Sequence, residues 1–159
     1  IYIHAKNASL AAARLLFFRL RRLGFQASLI PSGGSEVLEG IAHAGEGDLA
    51  ILFSFSKVSE EGRMILDYAR EAGCCTLAFT SRLYAPQEQR ADVNLYVYRG
   101  EKEEFHTMSS AVAVIDALVL ALSDSMQPKA AEKLMRLQKL KKKYGRRLYG
   151  KEDGKSGQE

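Results

Sequence analysis

The 159-residue chain is 47% hydrophobic and 26% charged, with a formal net charge of +4. That suits one domain with a real core, and neither a membrane-length apolar stretch nor a signal peptide is visible. The only cysteines, Cys74 and Cys75, are neighbours that cannot bridge each other without severe strain; two free thiols point to a reducing compartment, the cytoplasm, and no Cys or His spacing offers four zinc ligands, so no metal or other cofactor is expected.

The chain opens on an apolar strand pattern, Ile1-Tyr2-Ile3, so a preceding segment outside the given sequence is expected. The run His4 to Ser9 follows. Ser9 stands where a helix N-cap would stand, ahead of the helix-favouring run Leu10 to Leu20, and Gly24 is placed to end that helix with Phe25 as its apolar contact. Apolar residues cover more than one face of this helix, which predicts burial against the sheet and against a partner subunit. Gln26 to Ile30 reads as a second strand, closed by Pro31-Ser32-Gly33-Gly34, and Glu36 to His43 as a short helix.

Gly45, Gly47 and Asp48 turn the chain into a third strand, Leu49 to Phe53. A helix from about Ser59 to Ala72 is predicted next, with Met64, Ile65, Tyr68 and Ala69 inward and Gly73 at its end. Cys75 to Phe79 reads as a fourth strand, with Cys74 and Cys75 as small apolar residues opening it. Thr80-Ser81 is its polar exit. A short helix or turn over Tyr84 to Arg90 precedes a fifth strand, Val93 to Tyr98. The polar connection Arg99 to Glu104 leads to a long helix with Met108, Val112, Ile115, Val119 and Leu122 at helical spacing. Pro128 opens a last helix, where Leu134, Leu137, Leu140 and Tyr144 form a stripe among many Lys and Arg. The tail 151–159 is polar and Gly/Ser-rich, and is expected to be disordered.

Strands alternating with helices predict an α/β three-layer sandwich on a five-stranded parallel sheet of order 2-1-3-4-5. In that order strands one and three are neighbours whose helices lie on opposite faces, a switch point where ligands bind beyond the carboxyl ends of strands. Both serine-bearing loops leave those two strands: His4 to Ser9, and Ser54-Phe55-Ser56-Lys57-Val58-Ser59-Glu60. A helix start presents free backbone N–H groups and a positive dipole end, and serine hydroxyls add neutral donors. Two such openings side by side predict a site for a small anion, most plausibly a phosphate. Much of the positive charge lies between Lys129 and Lys151, away from these loops. The run Lys139 to Arg147 is read as the solvated face of an amphipathic helix, since it carries no base-reading pattern.

The motif Ser54-x-Ser56-x-x-Ser59 after an apolar strand, with the earlier strand–loop–Ser9–helix, resembles the SIS (sugar isomerase) domain. Thr80-Ser81, Ala91-Asp92-Val93 and Val114-Ile115-Asp116-Ala117-Leu118 fit the same pattern, which is most similar to the SIS domain of RpiR-type bacterial transcription regulators. That resemblance implies a SIS-like fold over residues 1–124, with 125–150 a basic amphipathic helix packing on the domain or a dimer partner. It implies a cytoplasmic homodimer that senses a phosphorylated sugar or amino sugar, with no catalysis and no membrane contact. DNA would be reached only through an N-terminal helix-turn-helix domain outside this chain. Carried over by position, the ligand residues are Ser9, Asn7, Ser54, Phe55 (through its N–H), Ser56, Lys57 and Ser59. The chain departs from the pattern where glycine is usual, at Ala5, Asn7 and Lys57; Lys57 either supplies charge to a phosphate or fills the pocket. The alternative is a sugar-phosphate aldose–ketose isomerase of the same fold, with Glu60 or a histidine (His4, beneath the site, or His106) as general base. A third reading is a SIS fold kept for assembly alone.

Overall fold

The computed structural model describes residues 1–101 and 103–149; the expected disordered tail 151–159 lies outside them. The elements are β1 (Tyr2–Ala5), α1 (Ser9–Arg22), β2 (Ser28–Leu29), α2 (Glu36–Ile41), β3 (Leu49–Phe53), α3 (Glu60–Glu71), β4 (Cys75–Thr80), a 3-10 turn (Gln87–Gln89), β5 (Val93–Tyr96), α4 (Ser109–Ser125) and α5 (Lys129–Tyr149). The sheet is parallel throughout, in the order β2-β1-β3-β4-β5. β1 runs in register beside β3, from Tyr2 against Ala50 to Ala5 against Phe53, so the two serine loops leave the sheet side by side.

Strand alternation sorts the core into two layers. Ile3, Ala5, Ile51, Phe53, Phe79 and Val97 face α1 and α4, meeting Leu16, Leu20, Ala111 and Ile115. Ala50, Leu52 and Ala78 face α2 and α3, meeting Val37, Ile41, Ile65, Leu66 and Ala69. A parallel sheet needs such cover on both faces, and the near-continuous apolar runs of β1 and β3 reflect it. Two glycines carry the helix ends. Gly24 (φ 82°) and Gly73 (φ 70°) stand just past α1 and α3. In each case the next N–H reaches back to the last turn, Phe25 to Leu20 (3.1 Å) and Cys74 to Ala69 (2.8 Å).

Several sequence expectations shift. Ser9 is not the N-cap of α1 but its first residue, and the preceding Ala8 makes no side-chain cap. Lys6 to Ala8 already form a turn whose carbonyls take the N–H groups of Ser9, Leu10 and Ala11 at 3.1–3.2 Å, which leaves nothing for a hydroxyl to cap. β2 keeps only Ser28–Leu29 of the expected five residues, because an edge strand has a single partner to pair with. β5 ends at Tyr96 rather than Tyr98, and α2 at Ile41 rather than His43. Met64, expected inward, is 38% exposed beside the buried Ile65. Cys74 is buried but Cys75, one residue on, is exposed.

Candidate functional site

The seven residues expected at the site converge. Ser9, Asn7, Ser54, Phe55, Ser56, Lys57 and Ser59 all line one cleft of about 210 Å³ beyond the carboxyl ends of β1 and β3, together with His4, Lys6 and Arg99. A larger hollow, about 640 Å³, opens at the opposite end of the sheet near Tyr2, Gly24 and Asp48. It meets no helix start, so its size carries no chemical weight.

The second loop is built around Phe55. Its ring is buried edge-on to Phe53 (6.0 Å between centroids), which stacks on Phe79 at 4.4 Å. Its carbonyl accepts from the Ser81 N–H (2.8 Å) and hydroxyl (2.5 Å), so the β4 exit holds the loop down. The Ser54 N–H is tied to the Phe79 carbonyl at 2.9 Å. By contrast, among the described residues no acceptor takes the N–H of Phe55, Ser56, Lys57 or Val58. Ser59 caps α3, its hydroxyl accepting from the Gly62 N–H at 3.2 Å. Ser56 and Lys57 are exposed at the rim, and Lys57 has no acidic partner among the described residues. Lys57 therefore edges the hollow without filling it.

The first loop takes the N–H groups of Ser9, Leu10 and Ala11 on its own carbonyls, while among the described residues those of Lys6, Asn7 and Ala8 meet no acceptor. Asn7 sits at φ 53°, a left-handed conformation that Asn tolerates better than most side chains. Lys6 reaches across to Glu61 at 2.7 Å, pinning this loop to the first turn of α3. Chiefly the Lys6 ammonium, then the backbone N–H of Glu61 and the Ser59 hydroxyl, hold the Glu61 carboxyl down to about 2. Glu60, the candidate general base, points away: it pairs with Arg63 at 2.6 Å, is 72% exposed and does not line the cleft.

Of the lining residues outside the expected seven, His4 and Arg99 bring further chemistry. His4 ends β1 under the cleft and is 2% exposed, with neither ring nitrogen in a hydrogen bond. Arg99, just past β5, lays its guanidinium 4.5 Å from the centre of the Phe55 ring and donates from Nε to the Thr107 carbonyl at 3.1 Å. Sequence reasoning treated Arg99 only as linker, and its position beyond the last strand of the sheet was the one signal available. His106, the other histidine weighed, is exposed and outside the lining. The cleft thus offers unbonded N–H groups, hydroxyls and a guanidinium, an assembly suited to an oxyanion.

A doubly wound parallel sheet with a ligand-sized cleft at its switch point defines the class. The chain belongs to the SIS domain family, whose sequence model matches residues 1–123. No curated protein matches it in a sequence search. Among solved structures it is similar to the sugar isomerase domain of an RpiR transcription factor from Sphaerobacter thermophilus, at 22% identity and TM-score 0.77, over 87% of this chain and 77% of that one. It is also similar to the Vibrio vulnificus NanR protein complexed with ManNAc-6P, at 19% identity and TM-score 0.75, over 94% of this chain and 56% of that one. A third likeness is to the Methanococcus jannaschii protein MJ1247, for which a 3-hexulose-6-phosphate isomerase function was inferred, at 17% identity and TM-score 0.63, over 85% of this chain and 74% of that one. At these identities the likeness is one of fold.

Proposed function

We propose that this chain is the phosphosugar-sensing domain of an RpiR-type transcriptional regulator. One observation carries the reading: the open N–H groups of Phe55, Ser56 and Lys57 and the Ser54, Ser56 and Ser59 hydroxyls share a cleft with Arg99, and among the described residues no acid lines it. A sugar phosphate would sit there with its oxyanion on the second loop. Residues 1–124 act as the ligand unit, and the basic helix that follows packs on it or on a second copy. Phe18, Leu120, Met135 and Leu140, each at least 48% exposed on α1, α4 and α5, support a homodimer. No single described helix is long and apolar enough to cross a membrane, in keeping with a cytoplasmic regulator. DNA contact belongs to a domain outside this chain. Ligand binding switches the regulator only if the two dimer arrangements bind the ligand with different affinity.

A sugar-phosphate isomerase is the second reading, and the unbonded imidazole of His4 favours it, since proton transfer between carbons needs such a group. A thermal-shift screen against hexose, pentose and amino-sugar phosphates, followed by aldose–ketose assays on each hit, separates the two. Saturable stabilisation without turnover supports the sensor; turnover abolished by His4→Gln supports the enzyme. No stabilisation by any phosphosugar overturns both and favours an assembly role.

A further inference from the structure

We propose that the cleft captures a doubly charged oxyanion with two residues beyond the seven expected ones, Arg99 as its fixed charge and His4 as a group that gains a proton when the anion binds. The inference rests on reading the cleft as an anion site, and it adds that affinity is coupled to pH.

Of the cations that line the cleft, Lys57 is exposed at the rim, whereas Lys6 and Arg99 are half-buried. Lys6 is spent on Glu61 at 2.7 Å. Arg99 has no carboxylate partner among the described residues, and its Nε contact with the Thr107 carbonyl fixes its direction. Resting on the Phe55 ring, the guanidinium stands over the same residue whose N–H begins the unbonded run. Beyond the Phe55 ring and the Thr107 carbonyl, this half-buried cation has no counter-charge among the described residues, and an anion beside the free N–H groups would supply one.

His4 supplies the second observation. A buried imidazole with both nitrogens unbonded leaves one donor and one acceptor unsatisfied, which is costly unless a ligand completes them. The Pro31 carbonyl lies nearby, outside hydrogen-bond geometry. Burial first, and Lys6 after it, push the ring below its ordinary value of 6.5, while Glu61 and the Pro31 carbonyl oppose them. In the same layer as His4, the carboxylates of α2, Glu36 and Glu39, are exposed to solvent. β2 and β3 bring no titratable side chain beside β1, and the Arg side chains of α1 belong to the opposite layer. On α3, Glu60 is paired with Arg63. The empty cleft therefore holds His4 neutral. A dianion reverses the local field, and the free ring nitrogen takes a proton from solvent, with no other bond made or broken.

Sulfate tests this, because it carries two charges and no proton of its own across the useful pH range. The native chain is titrated with sulfate at constant ionic strength at several pH values, following the His4 ring and the backbone N–H of Ser56 by NMR. Sulfate affinity is expected to rise as pH falls, by up to roughly tenfold per unit, with the His4 midpoint moving upward on saturation. His4→Gln should flatten the pH dependence, and Arg99→Gln should weaken sulfate several-fold at every pH while keeping the slope. Saturable binding with no pH slope, or with an unmoved His4 midpoint, overturns the proposal and leaves the anion cleft standing. Failure of sulfate to perturb Ser56 or to saturate overturns both. The native titration decides the matter even if a variant does not fold.

Discussion

The two serine loops look alike on paper and differ in what they leave unbonded. At the first, the donors that open α1, Ser9, Leu10 and Ala11, give their N–H groups to the Lys6–Ala8 turn, so that among the described residues only Lys6, Asn7 and Ala8 keep theirs, and Lys6 is held by Glu61. At the second, the loop is fastened from below at Phe55 and Ser54, yet residues 55–58 keep their N–H groups free. A helix start is an anion site only while its donors are unspent. The comparison teaches that serine spacing marks a candidate, and that the hydrogen-bond accounting of the preceding turn decides whether it can bind.

The contrast is easiest to break by affinity. Ser56→Ala should weaken a phosphosugar hit by roughly ten- to a hundredfold, the worth of a hydrogen bond to a charged group, whereas Ser9→Ala should cost under about threefold. Equal losses measured by calorimetry would erase the distinction between the loops. Stability sharpens it further. Ser59→Ala removes a real cap and should cost about 1 kcal/mol in urea unfolding, while Ser9→Ala, with no cap to lose, should stay within about 0.5 kcal/mol. Asn7→Ala forces a side chain less suited to φ 53° into the first loop; a loss of roughly 0.5–1 kcal/mol is expected, with Asn7→Gly closer to neutral.

The smallest effect concerns the strap between the loops. Lys6→Met should lower the melting temperature slightly at neutral pH. Glu61 is depressed from an ordinary 4.5 to about 2, so the pair's contribution is complete above about 4.5 and fades as pH falls toward 2. Melting curves of native and Lys6→Met protein should therefore converge on acidification. A gap that persists at the acid end would assign the Lys6 effect to packing.

Strand order was legible because apolar runs alternate with helical patterns, and right-handed crossovers leave few arrangements for five units. The meeting of Ser9 with Ser54–Ser59 followed from that order. The state of each loop did not, because it depends on contacts the local sequence does not encode. Lys6 finds Glu61 across 55 positions. Arg99 comes from beyond β5, forty positions after Ser59, and its guanidinium rests on the Phe55 ring. Helix periodicity likewise predicted Met64 inward, but the inner stripe of α3 is Ile65, Leu66 and Ala69, and Met64 falls just outside it.

The Phe55 carbonyl, clamped by both donors of Ser81, sets the mechanical character of the receptor. A rim riveted to its neighbouring strand has little slack to gather in, so occupancy need not be preceded by a slow rearrangement. Deuterium should enter the adjacent amides from Phe55 to Glu60 rapidly, between the slow-exchanging end of β3 and the body of α3, and an occupant should slow that stretch most.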